Sequence, residues 1–262
     1  IDFTFSQEVE DARQMMRNFL HNTVKKEFDA LSAREGATRD DWSKLIKRLR
    51  VRAKEEGYWL PHMPQDVGGM GLGVTALAAV SAEAAKVPMG PYIINAQAPD
   101  EGNMHTLHHF ATEYQREHYL QPLLDGTKRS CFSMTEPEVA GSDPTLIQTT
   151  AVEDGDDWVI NGHKWFTSGA QGADFAIVIA RTDPDASVPQ ARNSAFIVDT
   201  ESEGFEILRD VETMGGRHNH PEVRYTNVRV PKTHLLGERG GGHKLGQVRL
   251  GPARLAHCMR WI

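Results

Sequence analysis

The sequence predicts an α+β multidomain chain: an N-terminal all-α helical bundle, then an antiparallel β-barrel or sandwich-like middle domain, then the start of a C-terminal helical domain. Three observations carry this. Apolar residues recur at helical spacing through the first half of the chain, the period becomes strand-like from about residue 130, and a helical pattern returns after Gly240, Gly241 and Gly242. The expected divisions are 1–129, 130–238 and 239–262. At 262 residues, with 39% hydrophobic and 25% charged side chains, the chain is long enough for a substantial core and for more than one domain.

Each element has its own signal. Val9, Ala12, Met16, Phe19 and Leu20 fall on one helical face, as do Trp42, Leu45, Ile46, Leu49 and Ala53. Pro and Gly in "PHMPQDVGGMGLG" interrupt the helices, and "VTALAAVSAEAAKV" follows as a small-residue helix suited to close packing. "EYQREHYLQPLLDG" reads as a helix stopped by Gly126. In "DDWVINGHKWFTSG" the Asn161-Gly162 pair sits between two β-prone runs and predicts a tight hairpin turn. "DFAIVIART", "NSAFIVDT", "GFEILRDV" and "EVRYTNVRVP" supply further strands. The last stretch, "HKLGQVRLGPARLAHCMRWI", is helical, and its Cys258, Met259, Trp261 and Ile262 are expected to need a partner surface.

Composition narrows the function. A net charge of −7 and a pI of about 5.9 argue against a nucleic-acid protein, because phosphate binding needs a basic face. The longest apolar runs, such as "FAIVIA", are too short to cross a bilayer, and the N-terminus shows no targeting pattern, so a cytoplasmic location without membrane insertion is expected. Cys131 and Cys258 stand alone, without metal or redox spacing, and are expected as reduced thiols.

The stretch "CFSMTEPEVAGSDPT" joins the helical and β parts. The hydroxyls of Ser133, Thr135 and Ser142, with backbone amides at a glycine turn, can bond the polar edge of a flat heterocycle while Trp165 covers a face. A flavin makes those demands. A domain connector beside a core Trp satisfies the same pattern.

"MTEPEVAGSD", then "VINGHKWFTSG", then "VRVPKTHLLGERGGGHKLGQVRLGPAR" together resemble the acyl-CoA dehydrogenase family over essentially the whole chain. "NAQAPDEGNMHTLHHFAT" and "RLGPARLAHCMR" are most similar to its branch of long-chain-acting, kinase-associated homologues. The resemblance implies FAD as cofactor and oxidation of an acyl-CoA thioester to its trans-2-enoyl form. It puts Phe132, Met134 and Thr135 against the flavin ring, Gly141 and Ser142 at the FAD phosphate or the pantetheine arm, and Trp165 and Thr167 beside the ring. Arg254 is implied as a substrate-pocket residue, with pairing across a helix interface as its other reading. The loop spelling "EPEVAGSD" is one residue longer than the family's commonest "EPGAGSD". An electron-transfer flavoprotein-type acceptor and a homo-oligomer, dimer or tetramer, are also implied.

No catalytic base is assigned. Most family members carry theirs, a Glu, in the last helical domain, which here would lie beyond residue 262; a minority carry it immediately before the Arg matched by Arg254, where this sequence has Ala253. The chain is read either as a piece of a longer dehydrogenase or as a base-lacking subunit that depends on a partner. An oxidase of the same fold is the remaining alternative.

Other features have plainer readings. Glu136 and Glu138 are expected as solvated loop carboxylates, and His105, His108 and His109 as surface or interface residues rather than metal ligands. "RHNH", Arg217 to His220, is expected in a loop of the β-domain, where the resemblance allows a substrate contact. "GERGGGHKLG" lacks phosphate-loop spacing and reads as a flexible lead into the last helix.

Overall fold

A computed structural model describes residues 4–214 and 216–261, with the side chain of Trp261 left aside. By packing, the chain divides into two compact units. One comprises the residues up to Glu101 together with the segment from Pro252; the other runs Gly102–Gly251.

The first unit is helical. Its helices are α1 (Gln7–Phe19), α2 (Lys26–Ser32), α3 (Arg39–Glu55), α4 (Val74–Ala85) and α5 (Gly90–Ile93). Ser6 caps α1 through its hydroxyl, and Thr38 with Asp41 forms a reciprocal capping box at the start of α3. The predicted apolar faces are the buried ones: Met16, Phe19 and Leu20 from the first, Leu45, Leu49 and Ala53 from the second. The small-residue helix α4 buries Ala76, Ala79, Val80 and Ala84 and packs on α1. Arg50 is held between the rings of Trp59 and Tyr92, 4.8 and 4.5 Å from their centroids, so its charge is buried over π faces. At the chain's end Met259 is buried and Cys258 exposed; Ile262 and the Trp261 side chain, also expected at an apolar surface, lie outside the described residues.

The second unit is built on an eight-stranded sheet. Its strands are β1 (Ser130–Ser133), β2 (Thr150–Asp154), β3 (Asp157–Lys164), β4 (Phe175–Arg181), β5 (Asn193–Asp199), β6 (Phe205–Thr213), β7 (Gly216–Pro231) and β8 (Leu235–Leu236). They lie in the order β6-β7-β3-β2-β4-β5-β8, with β1 paired to β4. Most pairings are antiparallel; β1 and β2 each meet β4 in parallel. Trp158, Ile160, Val178, Phe196, Val223 and Tyr225 belong to its core. Helices α6 (Asp100–Phe110), α7 (Glu113–Gln115) and α8 (Gln121–Asp125) precede the sheet, and α8 ends at Gly126 in the left-handed region, as predicted. Gln115 donates from its amide to the carbonyls of Thr233 and Leu235, at 2.7 and 2.9 Å.

Two local expectations fail. The hairpin turn is at Gly155 and Asp156, between Asp154 and its partner Asp157; Asn161 and Gly162 sit inside β3 at a bulge. Gly155 takes the positive φ of 62° that a tight turn needs, whereas Gly162 is required for a close approach: a Cβ there would lie 2.1 Å from Oγ1 of buried Thr149. Asn161 bonds Asn227 in both directions across the bulge. The lead into the last helix, α9 (Gly242–Trp261), is packed rather than loose. Gly240 donates its N–H to Ser194 Oγ at 2.8 Å, and a Cβ on Gly242 would meet the carbonyl oxygen of Asn193 at 2.8 Å.

A Gly162→Ala substitution should therefore lower unfolding free energy by about 1–3 kcal/mol through overpacking at Thr149. Denaturant unfolding, read as a fall in the midpoint at unchanged slope, measures it.

Candidate cofactor site

Two loops of the second unit meet at the ends of β1 and β3. The first continues from β1 through Met134–Asp143, and the second continues from β3 through Trp165–Asp174. They are stitched by main-chain and hydroxyl bonds. Trp165 N–H donates to the Thr135 carbonyl at 3.0 Å, and the Thr135 hydroxyl donates to the Trp165 carbonyl at 2.9 Å. Beneath them the buried hydroxyls of Ser133 and Thr167 are 3.3 Å apart, and Tyr225 donates to Ser133 at 2.9 Å. Burial raises the Tyr225 phenol well above its ordinary range, so it keeps the proton it donates.

The anchor under both loops is an ion pair that the sequence reading missed. Glu136, expected in solvent, is buried, and so is Lys164, with side-chain exposures of 1% and 0%. Lys164 Nζ donates to Glu136 Oε1 at 2.9 Å and to the Met134 carbonyl at 2.7 Å. The carboxylate also accepts the backbone N–H groups of Gln148 and Thr149, at 2.7 and 2.9 Å. Burial pushes the Glu136 carboxyl up, but the Lys164 ammonium and these hydrogen bonds outweigh it and hold the group below the ordinary carboxylate value.

Strand β7 braces the second loop. Thr167 N–H donates to the Pro221 carbonyl at 3.0 Å, Ser168 Oγ lies 2.7 Å from His220 Nδ1, and Asn219 exchanges bonds with Gln171 in both directions. Arg217 to His220 thus belong to β7 rather than to a loop. The pairing of Asn219 and His220 with the loop after β3 crosses too much sequence for any local pattern to reveal.

Above this floor, aromatic faces are left partly open. Trp165 is half-buried and meets Phe166 edge-on at 4.9 Å; Phe166 is 43% exposed and holds a positive φ of 49°. A bulky residue in that conformation costs about 1–3 kcal/mol, so the fold spends stability to keep this ring outside. Phe132 is half-buried, with the Arg249 guanidinium 4.1 Å from its centroid, and Arg249 in turn donates to Asn103 Oδ1 at 2.9 Å. Gly141 and Ser142 lie in an exposed turn closed by the Asp143 N–H on the Ala140 carbonyl, and a Cβ on Gly141 would stand 3.4 Å from the Thr135 methyl.

The structure therefore brings Met134, Thr135, Gly141, Trp165 and Thr167 together, with Phe132 on the adjoining strand and Ser142 in the same loop. Arg254 belongs to the other unit, where it is exposed on α9. Half-open aromatic faces beside hydroxyls suit a flat, hydrogen-bonding ring, so the donor set fits a flavin. The two glutamates of the first loop are engaged, Glu136 with Lys164 and Glu138 with His163. Among the described residues no group of three or more His, Cys, Asp and Glu is arranged to hold a metal. In the His105, His108 and His109 cluster only His109 is exposed; burial, reinforced by the neighbouring imidazoles, pushes His105 down to about 4.

Comparison with known proteins decides the family. The model of the acyl-CoA dehydrogenase N-terminal domain matches residues 6–127, and that of the acyl-CoA dehydrogenase middle domain matches residues 131–228. The chain belongs to the acyl-CoA dehydrogenase family. It is 41% identical to the acyl-CoA dehydrogenase FadE2 of Mycobacterium tuberculosis over 99% of its own length, and 39% identical to human acyl-CoA dehydrogenase family member 11 over 85%. A Mycobacterium abscessus structure assigned to the same family superposes with a TM-score of 0.89 at 34% identity, over 98% of this chain and 67% of that one. The chain spans 65% of the length of FadE2 and 29% of family member 11. The α+β architecture expected from the periodicity, helices then a mostly antiparallel sheet then a helix, is the architecture of this acyl-CoA dehydrogenase fold.

Replacing Glu136 by Gln in this family member should lower stability at neutral pH by about 3–5 kcal/mol, because it leaves the Lys164 ammonium without its counter-charge. The Glu136 carboxyl sits below its unfolded value, so its contribution is present above that value and fades as pH falls through the folded one. Urea unfolding across the acid range should show the gap between wild type and variant closing as the wild-type carboxyl takes up its proton.

Proposed function

We propose that the protein acts as an FAD-dependent acyl-CoA dehydrogenase, removing an α-proton and a β-hydrogen from an acyl-CoA thioester to give the trans-2-enoyl thioester. The observation that supports this best is the pair of stitched loops with Phe132, Trp165 and Phe166 partly open beside the hydroxyls of Thr135 and Ser142. FAD, when bound, supplies the acceptor for the β-hydrogen as hydride. Phe132, Met134, Trp165 and Thr167 would hold its ring and Thr135 its polar edge, while Gly141 and Ser142 would meet its phosphate or the pantetheine arm of the substrate. Arg254 is assigned to the substrate pocket.

In this reading residues 1–129, 130–238 and 239–262 are the N-terminal helical domain, the β-domain and the beginning of a C-terminal helical domain. The two loops keep water from the reacting carbons and hold them in register, which is where positioning lowers the barrier. No residue of the described chain is assigned as base. An electron-transfer flavoprotein-type acceptor takes the electrons onward, and the working form is a homo-oligomer.

Anaerobic addition of a series of acyl-CoA thioesters to the FAD-loaded protein should bleach the visible flavin bands and yield the trans-2-enoyl product. Absence of bleaching with every chain length overturns the reading. Trp165→Ala should weaken FAD binding about tenfold or more, measured by flavin fluorescence titration.

A further inference from the structure

His163, on β3, lies between two carboxylates from different elements. Its Nδ1 is 2.5 Å from Glu138 Oε1, in the loop after β1, and its Nε2 is 2.7 Å from Glu222 Oε1, on β7. Glu222 is held in turn by Arg209 of β6, whose Nε donates to its other oxygen at 2.6 Å. Arg224 of β7, the backbone partner of His163, lines the same shallow pocket, as does the Glu136 carboxylate already paired with Lys164.

A carboxylate can only accept, and a neutral imidazole carries one N–H. Both contacts are hydrogen bonds only when the ring carries both protons. Losing one proton must sacrifice one of the two bonds. Glu222 keeps Arg209 and is largely buried, with 12% side-chain exposure, whereas Glu138 is 48% exposed and has water to replace its bond. The contact with Glu138 is therefore the one released. Glu138 also stands in the stretch that makes this loop one residue longer than "EPGAGSD", where added length would otherwise leave the segment before Gly141 loosely held.

We propose that His163, as an imidazolium, is a positioning residue that clasps the Glu138 segment of the cofactor loop to the sheet and lets it go when the ring loses its proton. The clasp stands on geometry alone; its effect on FAD rests on the proposed function above. With the clasp closed, Gly141 and Ser142 are pre-set for a phosphate or pantetheine arm. With it open, they must be ordered on binding, which lowers affinity.

Hydrogen exchange of the cofactor-free protein tests the clasp. Peptides covering 137–143 should be protected at about pH 5.5 and lose about tenfold of that protection by about pH 8.5, after correction for the intrinsic exchange rate. Glu138→Ala, in an exposed loop position, should exchange at the released rate at both pH values, while peptides from β3 and β7 stay protected. His163→Asn, which has no titrating ring, should also show no pH step. Equal protection of wild type at the two pH values, or a pH step that survives in Glu138→Ala, overturns the clasp. FAD titration is the second reading: wild-type affinity should fall about tenfold over the same range and the variants should be flat. A pH-independent FAD affinity in wild type overturns the functional half. A protein that keeps the exchange step but binds no FAD retains the clasp and overturns the cofactor reading instead.

Discussion

An ammonium and a carboxylate, both removed from water, fix the geometry on which the site depends. Lys164 ends β3, Glu136 lies three residues beyond β1, and between them they engage the Met134 carbonyl and the Gln148 and Thr149 amides. Any alternative path for the first loop that withdrew Glu136 would leave Lys164 charged and unpaired in an apolar interior, at a cost of several kcal/mol. The pair's value lies in excluding those paths more than in its net contribution to stability, since two well-packed apolar side chains could have filled the same volume. What it excludes is movement of Thr135 relative to Trp165, the two residues whose reciprocal bonds set the gap between the loops.

With that gap fixed, the aromatic groups can be left half-open without collapsing onto each other. Phe166 shows this most directly, because its backbone takes a conformation bulky residues avoid and its ring remains outside the core. Below it, the Ser133, Thr167 and Tyr225 hydroxyls satisfy one another, so the floor of the site is polar but dry. The result is a firmly held pair of loops whose aromatic faces stay partly open.

Periodicity made most of the fold legible. The apolar faces at Met16, Leu20, Leu45 and Leu49 needed only helical spacing, and β4 and β5 announced themselves by short apolar runs, "FAIVIA" and "AFIV". Local dipeptides were less faithful. Asn161-Gly162 carries the strongest turn signature in its region, yet its glycine is there because Thr149, a dozen residues away in sequence, leaves no room for a side chain. The hydroxyl-rich loop was visible as a site because its residue types are unusual together. Glu136 was misread, because the Lys164 that is buried with it lies on a strand well along the sequence, whereas Glu138 is exposed as expected and only its contact with His163 went unseen. His220 and Asn219 escaped for the same reason: their neighbours are set by strand register, which no window of sequence contains.

The order in which this site can come into being follows from where its pieces lie along the chain. Ser133 accepts a bond from Tyr225, Thr167 donates its N–H to the carbonyl of Pro221, and Ser168 pairs with His220, so each waits on a β7 partner more than fifty residues further along the chain. During synthesis, a chain made only as far as residue 200 carries both loops and the Glu136–Lys164 pair but lacks every β7 partner that braces them. The braced pair of loops is therefore a product of the finished sheet, and a chain interrupted before β7 would carry the loops' whole sequence without their bracing.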